Sequence, residues 1–281
     1  MQIVRTADEL RRWSRMVRHE ESASVGLIPT MGALHEGHAS LIRAAAGSCS
    51  HVAVSIFVNP TQFGPSEDFA CYPRTFEADC ALAETCGAHV IYAPAVDDLY
   101  PPGASTFVDV ENLSNRLDGL SRPGHFRGVA TVVAKLLIAA ETHRAFFGQK
   151  DAAQVAVIRR LVTDLRLATE IVVCPIVRDA DGLALSSRNA YLSKDQRAQA
   201  LVLSRAIREV ESLVARGERR TTVLIDFARS VFAAEPAVRV DYIECVSWST
   251  LEPVDLALPG TLFAVAAYVG TTRLIDNTIL S

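Results

Sequence analysis

The 281 residues are 49% hydrophobic and 21% charged with a formal net charge of −4, so one long or two modest domains can bury a large core, outside the disordered and fibrous classes. That charge gives no global field for nucleic acid or an anionic membrane, so neither is an expected partner and any anion site has to be local. No run of about eighteen apolar residues is there to span a bilayer, and residues 1–12 lack the basic start and apolar middle of a signal peptide; the expected location is cytoplasmic.

Six cysteines, Cys49, Cys71, Cys80, Cys86, Cys174 and Cys245, form no Cys-x-x-Cys pair. They read as reduced small hydrophobes, with Cys71 and Cys80 the partly exposed ones.

Ile3-Val4 predicts a short strand, and Thr6 with Glu9 three residues on marks a capped helix to about His19. Residues 25–28 read as a strand that gives way to Pro29-Thr30-Met31-Gly32-Ala33-Leu34-His35-Glu36-Gly37-His38 and then a helix to about Gly47. A helix N-terminus offers unpaired backbone N–H groups and about half a positive charge, which suits phosphate. His35 and His38, at i and i+3, face the same way and each can donate to charge building on a phosphoryl oxygen. Gly32 and Gly37 allow close backbone approach. A chance His-x-x-His on a solvated helix reads the same way, and a zinc site lacks both the four-residue spacing and a third ligand.

Residues 51–58 form a β-branched apolar run, the pattern of a strand buried on both faces of a parallel sheet. It ends at Asn59-Pro60-Thr61-Gln62. Open α/β sheets bind ligands beyond the carboxyl ends of their strands, which puts Asn59 and Gln62 beside the phosphate turn; plain turn residues between two prolines are the alternative. A helix over 75–86 and a strand over 89–92 follow, with His51 and His89 structural at strand starts. Residues 97–103 are a turn-rich break, and 106–110 predict a strand outside the main sheet. The basic segment Arg122 to Gly128, with His125 and Arg127, reads equally as a cover for an anionic ligand and as a surface loop.

A strongly apolar helix over 128–140 leads to a buried strand over 144–147 and then to Gly148-Gln149-Lys150-Asp151, with Gln154 in the next helix. Lys150 offers a compact positive charge to transferring phosphoryl oxygens. Asp151 can accept from ribose hydroxyls, cap the helix, or do both. After a strand over 170–174, the loop 177–189 presents Ser186, Ser187 and Arg188, two hydroxyls and a forked donor apt for gripping a triphosphate and closing over it; in isolation Ser-Ser-Arg-Asn is unremarkable. Helices over 195–216 and from about 221 to 234, then strands over 238–246 and 262–269, predict a smaller α+β domain. The expected fold is α/β, a parallel sheet with helices on both faces, divided as 1–178 and 179–281.

Five segments in order carry a family resemblance: residues 29–38, Phe57-Val-Asn-Pro-Thr-Gln-Phe63, Tyr72-Pro-Arg-Thr75, Phe147 to Asp151 with Gln154, and Asp181 to Asn189. Together they closely resemble the pantothenate synthetases, and the likeness extends weakly to Thr271 through Asn277. That family belongs with the His-x-Gly-His nucleotidyltransferases and class I aminoacyl-tRNA synthetases.

The resemblance implies a Rossmann-like catalytic domain, a smaller C-terminal lid domain and a homodimer. It also implies ATP-dependent, magnesium-assisted condensation of pantoate with β-alanine through pantoyl adenylate. Carried over, Met31, Gly32, Ala33, Leu34, His35, Glu36, Gly37 and His38 would line ATP, with His38 as proton donor. Gly148, Gln149, Lys150 and Asp151 would take ribose and phosphates, Val177 the adenine side, and Leu185, Ser186, Ser187 and Arg188 the triphosphate. Gln62 and Gln154 would hold pantoate, and Asn59 with Gln62 would serve β-alanine. His35, His38, Lys150 and Arg188 form the expected catalytic set; which protein groups hold magnesium is not indicated. Gln149 stands where glutamate is usual and Leu185 where methionine is usual, and neither change removes a needed group. A related nucleotidyltransferase and a silent nucleotide-binding regulator are the rival readings.

Overall fold

A computed structural model of the chain describes residues 1–19, 23–65 and 67–281. Two compact units divide it: Met1–Gly148 with Val157–Pro175, and Gln149–Ala156 with Ile176–Ser281.

In the first unit, β1 (Gln2–Val4), β2 (Val25–Thr30), β3 (His51–Ile56), β4 (Val90–Tyr92), β5 (Arg144–Gly148) and β6 (Glu170–Cys174) form one parallel sheet in the order β1-β4-β3-β2-β5-β6. The chain runs outward from β2 to β3 and β4, then returns to the other side of β2 for β5 and β6. The carboxyl ends of β2 and β5 therefore mark the switch point where open sheets of this kind bind ligands. Pro29 is tolerated in central β2 because β5 pairs only with Gly26 and Leu27, so the missing N–H falls where the β2–β5 ladder has ended.

Helices α1 (Ala7–Arg18), α2 (Glu36–Ala46), α3 (Phe76–Thr85), α4 (Val96–Leu99), α5 (Asp118–Ser121), α6 (His125–Ala140) and most of α7 (Ala152–Asp164) accompany the sheet. α2 and α3 bury Ala39, Leu41, Ile42, Ala45 and Ala83 against Ile28, Val52, Val54, Ile91 and Phe146. The alternate sheet residues Leu27, Ala53, Val90, Ala145 and Phe147 point to the other face and are buried too. Burial on both faces explains the near-continuous apolar runs, at about 1.5–3 kcal/mol for each large side chain removed from water. On α1 the expected capping box is present: Thr6 Oγ1 accepts from Glu9 N at 3.2 Å and Glu9 Oε2 from Thr6 N at 3.1 Å. Ser14 Oγ ties α1 to α6 by donating to the Ala140 carbonyl at 2.5 Å.

Helices α8 (Lys194–Ala215) and α9 (Thr221–Ala233) of the second unit pack on an antiparallel sheet of β7 (Val238–Ser247), β8 (Thr261–Val269) and β9 (Thr272–Ile279). Phe263, Val265, Ala267 and Val269 meet Leu203, Ile207, Val210, Leu224 and Phe232 in that core.

Three expectations are revised. No strand forms over 106–110; instead Val108 N donates to Thr131 Oγ1 at 2.9 Å, so a side chain of α6 replaces the ladder. The segment 122–128 is not simply a loop, because α6 already begins at His125 after Gly124 at φ +83. Beyond Gly270, where the last expected strand ends, β9 follows, because Gly270 at φ +58 opens a two-residue hairpin turn pairing Val269 with Thr272. His89 is structural as expected, its Nδ1 accepting from Val52 N at 3.1 Å.

Candidate active site

β2 delivers the chain into a left-handed turn, Gly32 at φ +84 and Ala33 at φ +49. Two groups hold that turn. Thr30 Oγ1 accepts from Gly32 N at 3.2 Å while donating to the Ser55 carbonyl at 2.6 Å. The Asp79 carboxylate, 2% exposed on α3, accepts from Ala33 N at 2.9 Å, Leu34 N at 2.8 Å and Thr75 Oγ1 at 3.0 Å. An alanine-rich helix thus aims one buried carboxylate at the strained turn, a role that went unassigned from the sequence. The signal was an acid four positions before Ala83 on the buried face of α3.

His35 is the N-cap of α2. Its Nδ1 accepts from Gly37 N at 3.1 Å, and His38 Nδ1 accepts from His35 N at 3.3 Å. His38 N donates to the His35 carbonyl at 2.8 Å. The expected unpaired donors at this helix start are therefore taken at residues 35, 37 and 38, the first two by the imidazoles and the third by the His35 carbonyl. In exchange, both neutral rings become Nε2–H tautomers, and hydrogen-bond donation moves from backbone to imidazole. The ring centroids lie 4.2 Å apart, which puts the two donors side by side as the spacing predicted. Glu36 is engaged with Arg43 at the surface, and that guanidinium holds its carboxyl below the usual range.

Beyond β3 the 3-10 turn Pro60–Gln62 buries Asn59 and Gln62, 1% and 9% exposed. Every polar atom of the Asn59 amide is employed within the protein. Nδ2 donates to Gln62 Oε1 and to the Gly128 carbonyl, both at 3.1 Å, and Oδ1 accepts from Tyr100 OH and Thr61 Oγ1, both at 2.9 Å. Because Asn59 occupies Gln62 Oε1, Gln62 offers its Nε2 as the donor, here set against Met31 Sδ at 2.8 Å. A substrate acceptor, a hydroxyl or carboxylate oxygen, is what that orientation recognises.

The basic segment is more than a plain surface loop, because its charges are tied to the turn that carries Gln62. Arg122 forks onto Glu67 at 2.6 and 2.8 Å, which overrides the upward effect of burial and holds the Glu67 carboxyl below its usual range. Arg122 Nη1 also lies 2.9 Å from His125 Nε2, which must accept, so His125 Nδ1–H donates to the Gln62 carbonyl at 2.8 Å. Burial first and the Arg122 charge second push the His125 pKa down to about 4. Gly128 backs the same turn: a Cβ there would stand 2.3 Å from the Thr61 carbonyl oxygen. Arg127 stacks on Phe107 at 4.1 Å.

In the second unit Gln149–Asp151 form a 3-10 turn, with Lys150 Nζ 3.6 Å from Asp151 Oδ1. Gln154 follows on α7, half-buried. Val177 and Leu185 are joined across a tight turn, Leu185 N donating to the Val177 carbonyl at 3.0 Å. Arg197 holds that turn through Asp179 at 2.6 Å and Asp181 at 2.9 Å. Ser186 Oγ accepts from Arg188 N at 3.3 Å and caps the 3-10 turn Ser187–Tyr191, so Ser186, Ser187 and Arg188 sit on one short element.

Solved structures share this architecture. The chain matches the pantothenate synthetase of Thermus thermophilus with a TM-score of 0.92 at 41% identity, covering 99% of both chains. It matches a pantoate-beta-alanine ligase of Francisella tularensis, complexed with beta-gamma ATP and beta-alanine, with a TM-score of 0.80 at 32% identity, covering 99% of this chain and 97% of that one. The pantothenate synthetase of Acidobacterium capsulatum is 57% identical over all of this chain and 97% of its own. These likenesses, with the parallel sheet and its paired imidazoles, define an α/β enzyme of the ligase class. The sequence model of the family described as pantoate-beta-alanine ligase matches residues 2–279, and the chain belongs to that family.

Proposed function

We propose that the enzyme condenses pantoate with β-alanine at the expense of ATP, in two steps. A pantoate carboxylate oxygen attacks the α-phosphorus, the bond from that phosphorus to the α–β bridging oxygen breaks, and pyrophosphate leaves with its electron pair. The β-alanine amine then attacks the acyl carbon of pantoyl adenylate; AMP leaves, and the amine proton is lost to solvent as the amide of pantothenate forms. The observation that carries this reading is the pair of Nε2–H imidazoles, His35 and His38, with ring centroids 4.2 Å apart where β2 gives way to α2.

Phosphoryl transfer needs little covalent chemistry from a protein, so positioned donors and positive charge dominate. His35 and His38 stabilise charge on the departing phosphates, with His38 the proton donor. The remaining groups from Met31 to Gly37 shape the nucleotide site with their carbonyls and side chains. Gly148, Gln149, Lys150 and Asp151 serve ribose and phosphates, Val177 the adenine, and Leu185, Ser186, Ser187 and Arg188 the triphosphate. Gln62 and Gln154 hold pantoate, and Gln62 also receives β-alanine; Asn59 contributes to both by orienting Gln62.

Magnesium enters as the ATP complex. Among the described residues no group of three His, Cys, Asp or Glu side chains is placed to hold a metal ion, and Mg²⁺ bound chiefly through phosphates and water needs no protein cage. We also infer a catalytic domain of residues 1–178, a smaller domain of residues 179–281, a homodimer and a cytoplasmic location. Among the described residues no helix is long and apolar enough to cross a membrane.

Assay of AMP formation with pantoate, ATP, magnesium and β-alanine tests the reading. His38→Ala and Lys150→Ala are each expected to lower turnover by on the order of a hundredfold with the fold intact; near-normal turnover in either variant removes its assigned role.

A further inference from the structure

We propose that Asn277 is a positioning residue that sets the backbone carrying Lys150, an inference that rests on the role of Lys150 given above. Lys150 lies in the 3-10 turn Gln149–Asp151 that leads straight into α7, and a turn so short takes part of its base from side chains outside it. Asn277, on β9 and 3% exposed, supplies that base. Its Nδ2 donates to the carbonyls of Gln149 at 3.0 Å and Lys150 at 2.9 Å, and its Oδ1 accepts from Gln149 Nε2 at 3.3 Å.

Only a primary amide does all three. A carboxylate would face two carbonyl oxygens with no proton to offer, and a hydroxyl could satisfy one carbonyl at most.

The neighbouring residue fixes the clamp in turn. Asp276, also 3% exposed, receives the Arg178 guanidinium at 2.7 and 2.9 Å and accepts from Asn277 N at 2.8 Å. Arg178 Nη1 donates further to the Gly182 carbonyl at 3.2 Å. Successive strand residues point to opposite faces, so Asp276 and Asn277 address two segments at once: the turn bearing Lys150, and the 178–182 turn that precedes Ser186 and Arg188. In a register that pairs Ala264 with Asn277 and Val265 with Asp276, the sheet acts as a rigid rack for both.

The test is a double-mutant cycle on Asn277→Asp and Lys150→Ala, read as pantoate-dependent pyrophosphate–ATP exchange, with melting temperatures in parallel. If Asn277 works through Lys150, Asn277→Asp lowers the exchange kcat about ten- to a hundredfold with pantoate KM unchanged. In the Lys150→Ala enzyme the same substitution then has no further effect. Asn277→Ser, which keeps one donor, should lie between, and it serves in place of Asn277→Asp if the latter does not fold. Equal factors of loss in both backgrounds would overturn the inference while leaving the role of Lys150 intact. Undiminished exchange in Lys150→Ala alone would instead overturn that role, and the inference with it.

Discussion

Acidification should loosen the support of Gln62 through one imidazole. His125 sits neutral between the Arg122 guanidinium and the Gln62 carbonyl with a pKa pushed down from 6.5 to about 4. Its folded value is the lower one, so the unfolded chain binds the extra proton. Stability is therefore fully present above pH 6.5 and is lost as pH falls through the window down to about 4. Two and a half pKa units correspond to about 3 kcal/mol, of which about 2 kcal/mol is already gone at pH 5.

The assay is urea unfolding at pH 7, 6 and 5 of the wild type and of His125→Asn, whose amide can still donate to the Gln62 carbonyl but does not titrate. The wild type should lose about 2 kcal/mol more than the variant between pH 7 and 5. Parallel curves would refute the reasoning, as would an imidazole NMR signal of His125 titrating near its ordinary value.

Other consequences are as direct. Asp79→Asn leaves one N–H of the Ala33–Leu34 pair facing an amide donor, which should lower stability by about 1–3 kcal/mol and raise the ATP KM; unfolding and initial-rate measurements together check it. Gly128→Ala drives a Cβ into the Thr61 carbonyl and Gln62 Cα, at 2.3 and 2.7 Å, so the turn must shift and pantoate kcat/KM should fall at least a hundredfold. Tyr100→Phe removes one of the donors to Asn59 Oδ1 and should raise the pantoate KM several-fold, about 1 kcal/mol, with ATP KM unchanged; equal shifts in both would tell against the Asn59–Gln62 relay.

Apolar periodicity made most elements legible, because β2, β3 and β5 are buried on both faces and α8 and α9 on one. β9 was illegible because Arg273, Asp276 and Asn277 interrupt its apolar pattern, and each is needed: Arg273 for Asp241 at 2.8 Å, Asp276 for Arg178, Asn277 for the Lys150 turn. His35 and His38 were readable from spacing, but their use as caps was not, since that depends on ring orientation. The pairing of Arg122 in the basic segment was not readable because its partner, Glu67, lies 55 positions away. Asn59 was readable as a polar group beyond the end of β3, but its partners Gln62, Tyr100, Thr61 and Gly128 were not, since all but Thr61 and Gln62 lie far off in sequence.

The most direct test of acid activation by adenylation is exchange of labelled pyrophosphate into ATP by the pure enzyme with pantoate and magnesium, β-alanine being left out. Exchange that appears only with pantoate and collapses in His38→Ala is the expected result. No exchange, with pantothenate still formed once β-alanine is added, would contradict a freely reversible pantoyl-adenylate step and the role given to the paired imidazoles.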